Sequence, residues 1–313
     1  MEKRLAVIIF TLTSVFIGKE VFGAVYGDFI NQYVTGETVT GDVNSLAEGI
    51  ALIVRPTNIS EYTDISIKIK GMLLKDVVLN KEEVKKGWDE EEKLCEGEPL
   101  RNMTVASGNA CTAFLISENQ VMTAGHCVYM MAGTTPNSGM SERTLCERMN
   151  FVFGVRKARI IDGGFEVLKS NQYKCGKIEK VVAREDGLDF AVIRLDRPVK
   201  NRTIFTLGNE EEMREGDDVF SLGHPRGGAL SYTSGSVTSG YGDFKLKSNL
   251  DTFSGNSGSP VMNYSTNEVI GILIQGRDDF RSVGGRSCQE LAKYDDSVYG
   301  ETVLRMSEIK KYR

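Results

Sequence analysis

From Cys111 onward the chain alternates short apolar runs with polar turns. Cys111 to Ile116 and Gln120 to Ala124 come first, followed by Phe151 to Val155, Ile178 to Ala183 and Phe190 to Leu195. Asp196-Arg197-Pro198-Val199 reads as the exit from this set. A second set follows: Asp218 to Leu222, Gly235 to Ser239, Lys245 to Asn249, Pro260 to Asn263 and Val269 to Ile274. Short runs separated by Gly, Asn and Asp predict strands, and this many of them predict an all-β sandwich or barrel. A short C-terminal helix is predicted around Val303 to Lys311.

The chain before Cys111 is patterned differently. Leu5 to Ile17 is apolar behind Lys3 and Arg4, and small residues Gly23 and Ala24 follow. That is the pattern of a secretory signal peptide over residues 1–24, cut after Gly23 or Ala24, and too short to span a bilayer. An uncleaved anchor is the alternative. Residues 25–75 are mixed and mostly polar, although Ile65-Ser66-Ile67-Lys68-Ile69-Lys70 alternates with the period of a strand. Residues 81–93 are dense in charge and read as a solvated helix or linker.

Composition narrows the classes. A chain of 313 residues, 41% of them hydrophobic, is long enough for one or two packed domains. Its net charge of −5, without a long basic run, gives no footprint for nucleic acid or an anionic membrane. No later run reaches membrane length, so no membrane association is expected once the leader is removed. Cys95, Cys111, Cys127, Cys146, Cys175 and Cys288 all follow the leader, and an even number in a secreted chain implies disulfides. With no Cys-x-x-Cys spacing and only two histidines, neither a metal site nor a cofactor is expected.

The candidate chemistry lies in three stretches. Gly255-Asn256-Ser257-Gly258-Ser259-Pro260 sets a serine between glycines, which permit sharp bends and close approach. Such a stretch exposes a hydroxyl at Ser257 and aims the N–H groups of Gly255 and Ser257 at one point, an oxyanion hole. A serine hydroxyl needs a base, and Thr123-Ala124-Gly125-His126-Cys127 offers one. Asp189 opens the strand Asp189-Phe190-Ala191-Val192-Ile193 and would hold the imidazole tautomer and stabilise the imidazolium. His224, followed directly by Pro225, is the competing histidine and reads as a packing or loop-capping residue.

The order His126, Asp189, Ser257 is that of the chymotrypsin-like arrangement, not that of subtilisin or the α/β-hydrolases. Over about residues 100–310 the chain resembles the chymotrypsin-like (trypsin-fold) serine proteases. Gly-Asn-Ser-Gly-Ser-Pro is similar in style to the bacterial glutamyl-endopeptidase-like branch. The resemblance implies two six-stranded antiparallel β-barrels with the site in the cleft between them. The domain would cover 91–313, with the first barrel over about 100–197 and the second over about 198–313. Residues 25–90 would then be an N-terminal extension or a propeptide. The resemblance also implies a Cys111–Cys127 bond beside the histidine. Spacing suggests Cys146 with Cys175, and Cys95 with Cys288 follows by elimination, although four cysteines allow three pairings. Asn256 stands where animal enzymes carry an aspartate that pairs with a new N-terminus, which speaks against a trypsin-style activation switch.

For specificity, the resemblance places Asp251 and Thr252 at the base of the substrate pocket, with Leu273, Ile274, Gln275 and Gly276 as its wall. A carboxylate at that base would favour Arg or Lys before the scissile bond. Glutamyl endopeptidases carry a histidine at the position of Leu273, so its absence argues against a Glu preference. The reading is therefore a secreted or periplasmic, monomeric serine endopeptidase acting on peptides or proteins. The alternatives are a catalytically inactive protease-fold binding module, an esterase-type hydrolase, or a protease with a different side-chain preference.

Overall fold

The computed structural model describes residues 41–79, 90–208, 213–241, 244–284, 286–295 and 300–312, with Val25–Tyr26, Asn31–Tyr33, Lys81 and Lys85. Residues 1–24, read as a leader, and most of the charge-dense stretch lie outside the described residues. Strands dominate, and they close into two antiparallel barrels.

The first barrel runs through Asn150–Phe153, Gln172–Ala183, Asp189–Leu195, Gln120–Thr123, Cys111–Ser117 and Ile50–Val54, which pairs back with Asn150–Phe153. Every residue of Ile50–Val54 is buried. The first barrel, expected to begin near residue 100, thus takes a strand from the segment 25–90, expected to be an N-terminal extension or a propeptide. Without this strand the ladder edges of Cys111–Ser117 and Asn150–Phe153 would be open to water and to other chains. The helix Gly41–Ala47 leads into it. There Glu48 pairs with Arg156, Lys157 and Arg202. Burial would raise the Glu48 carboxyl, but hydrogen bonds from Arg156 and Lys157 outweigh it and bring the pKa to about 2.

The second barrel runs through Asp218–Gly223, Pro260–Asn263, Val269–Gln275, Glu301–Arg305, Lys245–Ser248 and Ser231–Tyr241, and closes back on Asp218–Gly223. Asn31–Tyr33 adds to its outer edge. Val303 and Leu304, expected at the start of the terminal helix, instead complete this barrel, and the helix is confined to Met306–Tyr312. Both residues are buried, because the 269–275 and 245–248 strands need a partner between them.

One apolar cluster crosses from barrel to barrel, joining Phe114, Phe151 and Phe190 to Phe220, Ile272 and Leu304, with Met306 and Ile309 of the terminal helix. Outside the first barrel, Ser66–Leu73 pairs with Ile59–Glu61, Gly164–Leu168 and Thr104–Ala106. The alternating stretch near Ile65 is thus a strand of an outer sheet. Disulfides join Cys95 to Cys288, Cys111 to Cys127 and Cys146 to Cys175. Among the described residues no helix is long and apolar enough to cross a membrane.

His224 lies at the seam, fully buried, with Nδ1 donating to the Gly228 carbonyl at 3.0 Å. Burial pushes its pKa down to about 4, against the pull of that hydrogen bond.

Two outcomes follow from this packing. A chain beginning at Glu91 lacks Ile50–Val54 and should show no cooperative thermal transition; calorimetry that finds one would overturn the barrel boundary. For His224, an unfolded histidine titrates near 6.5. As pH falls from about 6.5 toward 4, the unfolded chain binds a proton that the native ring refuses, so stability is lost across that window and levels off below it. Urea unfolding should give a slope of about one proton there. The slope should fall by about that much in His224→Asn, and an equal slope in that variant would refute the assignment.

Candidate active site

Gln120–Thr123 ends at the barrel rim and passes directly into the helix Gly125–Ala132. The turn sets His126 at the mouth of the cleft. Asp189 opens the neighbouring strand Asp189–Leu195, whose Ala191 pairs with Thr123. Neighbouring strands thus bring the two side chains together from positions far apart in sequence. His126 Nδ1 lies 2.5 Å from Asp189 Oδ2, and the His126 backbone N–H donates to Asp189 Oδ1 at 2.7 Å. Asp189 is nearly covered, whereas the imidazole is about a third exposed, with side-chain exposures of 13% and 35%.

Ser257 arrives from the second barrel, on the loop between Lys245–Ser248 and Pro260–Asn263. It faces the same cavity as His126, together with Ser254 and Gly255. Two glycines make the approach feasible. Gly258 has φ of +87°, and a Cβ there would sit 2.1 Å from Thr123 Oγ1 and 2.3 Å from the Thr112 carbonyl. Gly255 has φ of +102°, and a Cβ there would meet the His224 carbonyl at 2.6 Å. Any other residue at either position would be strained and would push the loop away from the first barrel.

Thr112, on the first barrel, holds this loop in place. Its hydroxyl donates to the Gly255 carbonyl at 2.9 Å and accepts from the His224 N–H at 3.0 Å. Its own N–H donates to the Ser257 carbonyl at 2.9 Å. Thr123 Oγ1 donates in turn to the Thr112 carbonyl at 2.7 Å. These threonines carry no signature in the sequence, because their roles depend on contacts across the seam.

A second unanticipated group surrounds Asp279. This buried carboxylate accepts from the Ser254 N–H at 3.0 and 3.1 Å and pairs with Arg226 at 3.2 Å. Burial raises its pKa, while Arg226 and the Ser254 hydrogen bonds oppose that. The Arg226 backbone N–H donates to the Ser254 carbonyl. In a trans peptide the carbonyl and the following N–H point in opposite directions. The Gly255 N–H therefore faces away from residues 224–227.

The residues assigned to the substrate pocket fall in two groups. Asp251 and Thr252 are buried. The Asp251 N–H donates to Thr233 Oγ1, and Thr252 Oγ1 donates to Glu301 Oε2 at 2.5 Å. Leu273 packs with Val219 and Val303, and Ile274 joins the cluster that crosses the seam. Only Gln275 and Gly276 of the wall reach the surface; Leu273 and Ile274 point to opposite faces of the strand and are buried in different clusters. Glu301, fully buried, abuts Gly276 and accepts from the Arg277 N–H at 3.3 Å. The sulfurs of Cys111 and Cys127, beside His126, are joined to each other and are not thiolate ligands.

Among solved structures, a Glu endopeptidase in complex with MPD aligns over 92% of this chain and 98% of its own, with a TM-score of 0.51 and 17% identity. That likeness shows the two-barrel fold. The crystal structure of Deg5 aligns over 86% of this chain and 88% of its own, at a TM-score of 0.43 and 14% identity. The family model for the trypsin-like peptidase domain matches residues 111–272, from the strand that carries Thr112 to the strand behind Ser257. That match spans more than half of the chain, and the chain belongs to the trypsin-like peptidase domain family.

Proposed function

We propose that this chain is a serine endopeptidase that cleaves peptide bonds through an acyl-enzyme at Ser257. The observation that carries the reading is the double contact of Asp189 with His126, on ring and backbone, beside a cleft that Ser257 also lines. An ionised Asp189 only accepts, so Nδ1 carries the proton and Nε2 keeps its lone pair. Nε2 takes the Ser257 proton as Oγ attacks the carbonyl, and Asp189 stabilises the imidazolium that results. The Gly255 and Ser257 N–H groups receive the developing oxyanion. Donors fixed in advance cost no reorganisation at that moment. Nε2 then protonates the leaving amine, and water releases the acyl group by the same route.

The protein acts outside the cytoplasm, in a secreted or periplasmic setting, as a monomer on peptide or protein substrates. The charged start and apolar run of residues 1–24 support this, as do three disulfides, which persist in oxidising compartments. For the residue before the scissile bond we favour Arg or Lys. Asp251 supports this choice, and so does Glu301, a second buried carboxylate held by Thr252 and set against Gly276. Lys247 offsets part of this negative charge; burial draws its pKa down while Glu301 pulls it back up.

Ser257→Ala should lower peptide turnover by about 10⁴-fold or more while leaving the thermal transition in place, since loss of one triad member leaves only binding and oxyanion stabilisation. Retention of more than about 1% of wild-type turnover would exclude Ser257 as the nucleophile. Asp251→Ser should lower the kcat/KM ratio of matched Arg and Leu peptides by roughly a hundredfold, because stranding one member of a buried ion pair costs about 3 kcal/mol or more. An unchanged ratio would defeat the basic preference and leave the triad untouched.

A further inference from the structure

The cavity that His126 and Ser257 share extends well beyond them, to about 670 Å³. Its far wall is built from a part of the chain outside both barrels. Met72, at the end of the strand Ser66–Leu73, contributes there, as do Val77, Val78 and Leu79 from the segment that follows. Ala106 and Met130 complete an apolar shelf, and Asp76 and Lys81 line the same cavity. Met72 is 40% exposed, although an exposed methionine gains nothing from water. Val77, Val78 and Leu79 are half-buried, and Val77 and Leu79 rest on the small core of Leu74, Leu94 and Leu100. The shelf is therefore backed by packed side chains.

Its position identifies the part of a substrate it meets. The residues assigned to the pocket before the scissile bond, Asp251, Thr252 and Leu273 to Gly276, do not line this cavity. A cavity that holds Ser257 and His126 but none of those residues is suited to the chain beyond the scissile bond. We propose that it is a leaving-group subsite that takes an apolar side chain, of leucine or phenylalanine type, directly after the scissile bond. The occupant is a segment of the substrate peptide, because the shelf is continuous with the catalytic groups. This inference rests on the acyl-enzyme reading and adds a second determinant of specificity to it.

The test uses the reverse of leaving-group departure. The full-length protein is acylated with one fixed ester substrate, and amino-acid amides compete with water for the acyl group. The amine nitrogen attacks the ester carbonyl, a C–N bond forms and the C–Oγ bond breaks. The amine proton passes through His126 to Ser257 Oγ. Because the incoming amine occupies the leaving-group position, its yield reports that subsite. Leucinamide and phenylalaninamide should exceed glycinamide and glutamic acid amide by about tenfold, as burial of a large apolar side chain favours them. A flat profile, or a preference for the charged amide, overturns the subsite. Met72→Glu, at an exposed position, and Val78→Thr, nearly equal in shape, should each cut the preference, a ratio read within one acyl-enzyme, severalfold. An unchanged preference in both also overturns it. Labelling of Ser257 by a fluorophosphonate keeps the two readings apart: a labelled protein with a flat amide profile sinks the subsite alone, whereas an unlabelled Ser257 sinks both.

Discussion

The site depends on the hold that Thr112 keeps across the seam between barrels. The catalytic candidates are divided, with His126 and Asp189 on one barrel and Ser257 on the other. Packing of apolar side chains brings the barrels together but is indifferent to small slips. Hydrogen bonds between buried groups are not indifferent, since a buried polar atom that loses its partner costs about 1–3 kcal/mol. Thr112 makes three such bonds across the seam, to the carbonyls of Gly255 and Ser257 and from the N–H of His224. A shift of either barrel would break all three together, so the serine loop is registered against the histidine rim as one unit.

The same loop is fixed from its other side by a different kind of contact. Arg226 reaches it twice, through its backbone N–H to the Ser254 carbonyl and through its guanidinium to Asp279, which holds the Ser254 N–H. One residue thus has both its amide and its carbonyl anchored just before the proposed oxyanion donor. Gly255 follows in a left-handed conformation that this anchoring requires and that a side chain would not tolerate. Thr112 sets the position of the loop, and the Arg226–Asp279 pair sets the orientation of its peptide planes.

Charge is arranged around the cleft in distinct layers. The two histidines illustrate this. His126 is partly exposed beside a nearly covered carboxylate, whereas His224 is sealed and neutral, its ring bonded to the Gly228 carbonyl. Behind the predicted pocket stand Asp251 and Glu301, both buried. The cavity that Ser257 and His126 line takes Met72, Val77, Val78 and Leu79, with Asp76 among them, from between the first strand of the barrel and the rest of it. In the proposed reading the two sides of the scissile bond would meet different chemistry.

The sequence by itself determined the all-β class, ten of the barrel strands and the order His126, Asp189, Ser257. Those features rest on local pattern: alternation within strands, glycines flanking a serine, a histidine closing an apolar run. Only the tertiary structure decided the rest. Ile50–Val54 is a short apolar run whose role as the closing strand depends on partners some 60 and 100 residues away. Val303 and Leu304 fit a helix or a strand equally well by pattern, and the gap left in the second barrel made them a strand. Thr112, Arg226, Asp279 and Glu301 carry no local signature, because a threonine or a charged residue takes its role from what faces it. Polar partnerships across a seam are long-range contacts between side chains, and neither periodicity nor spacing along one strand encodes them.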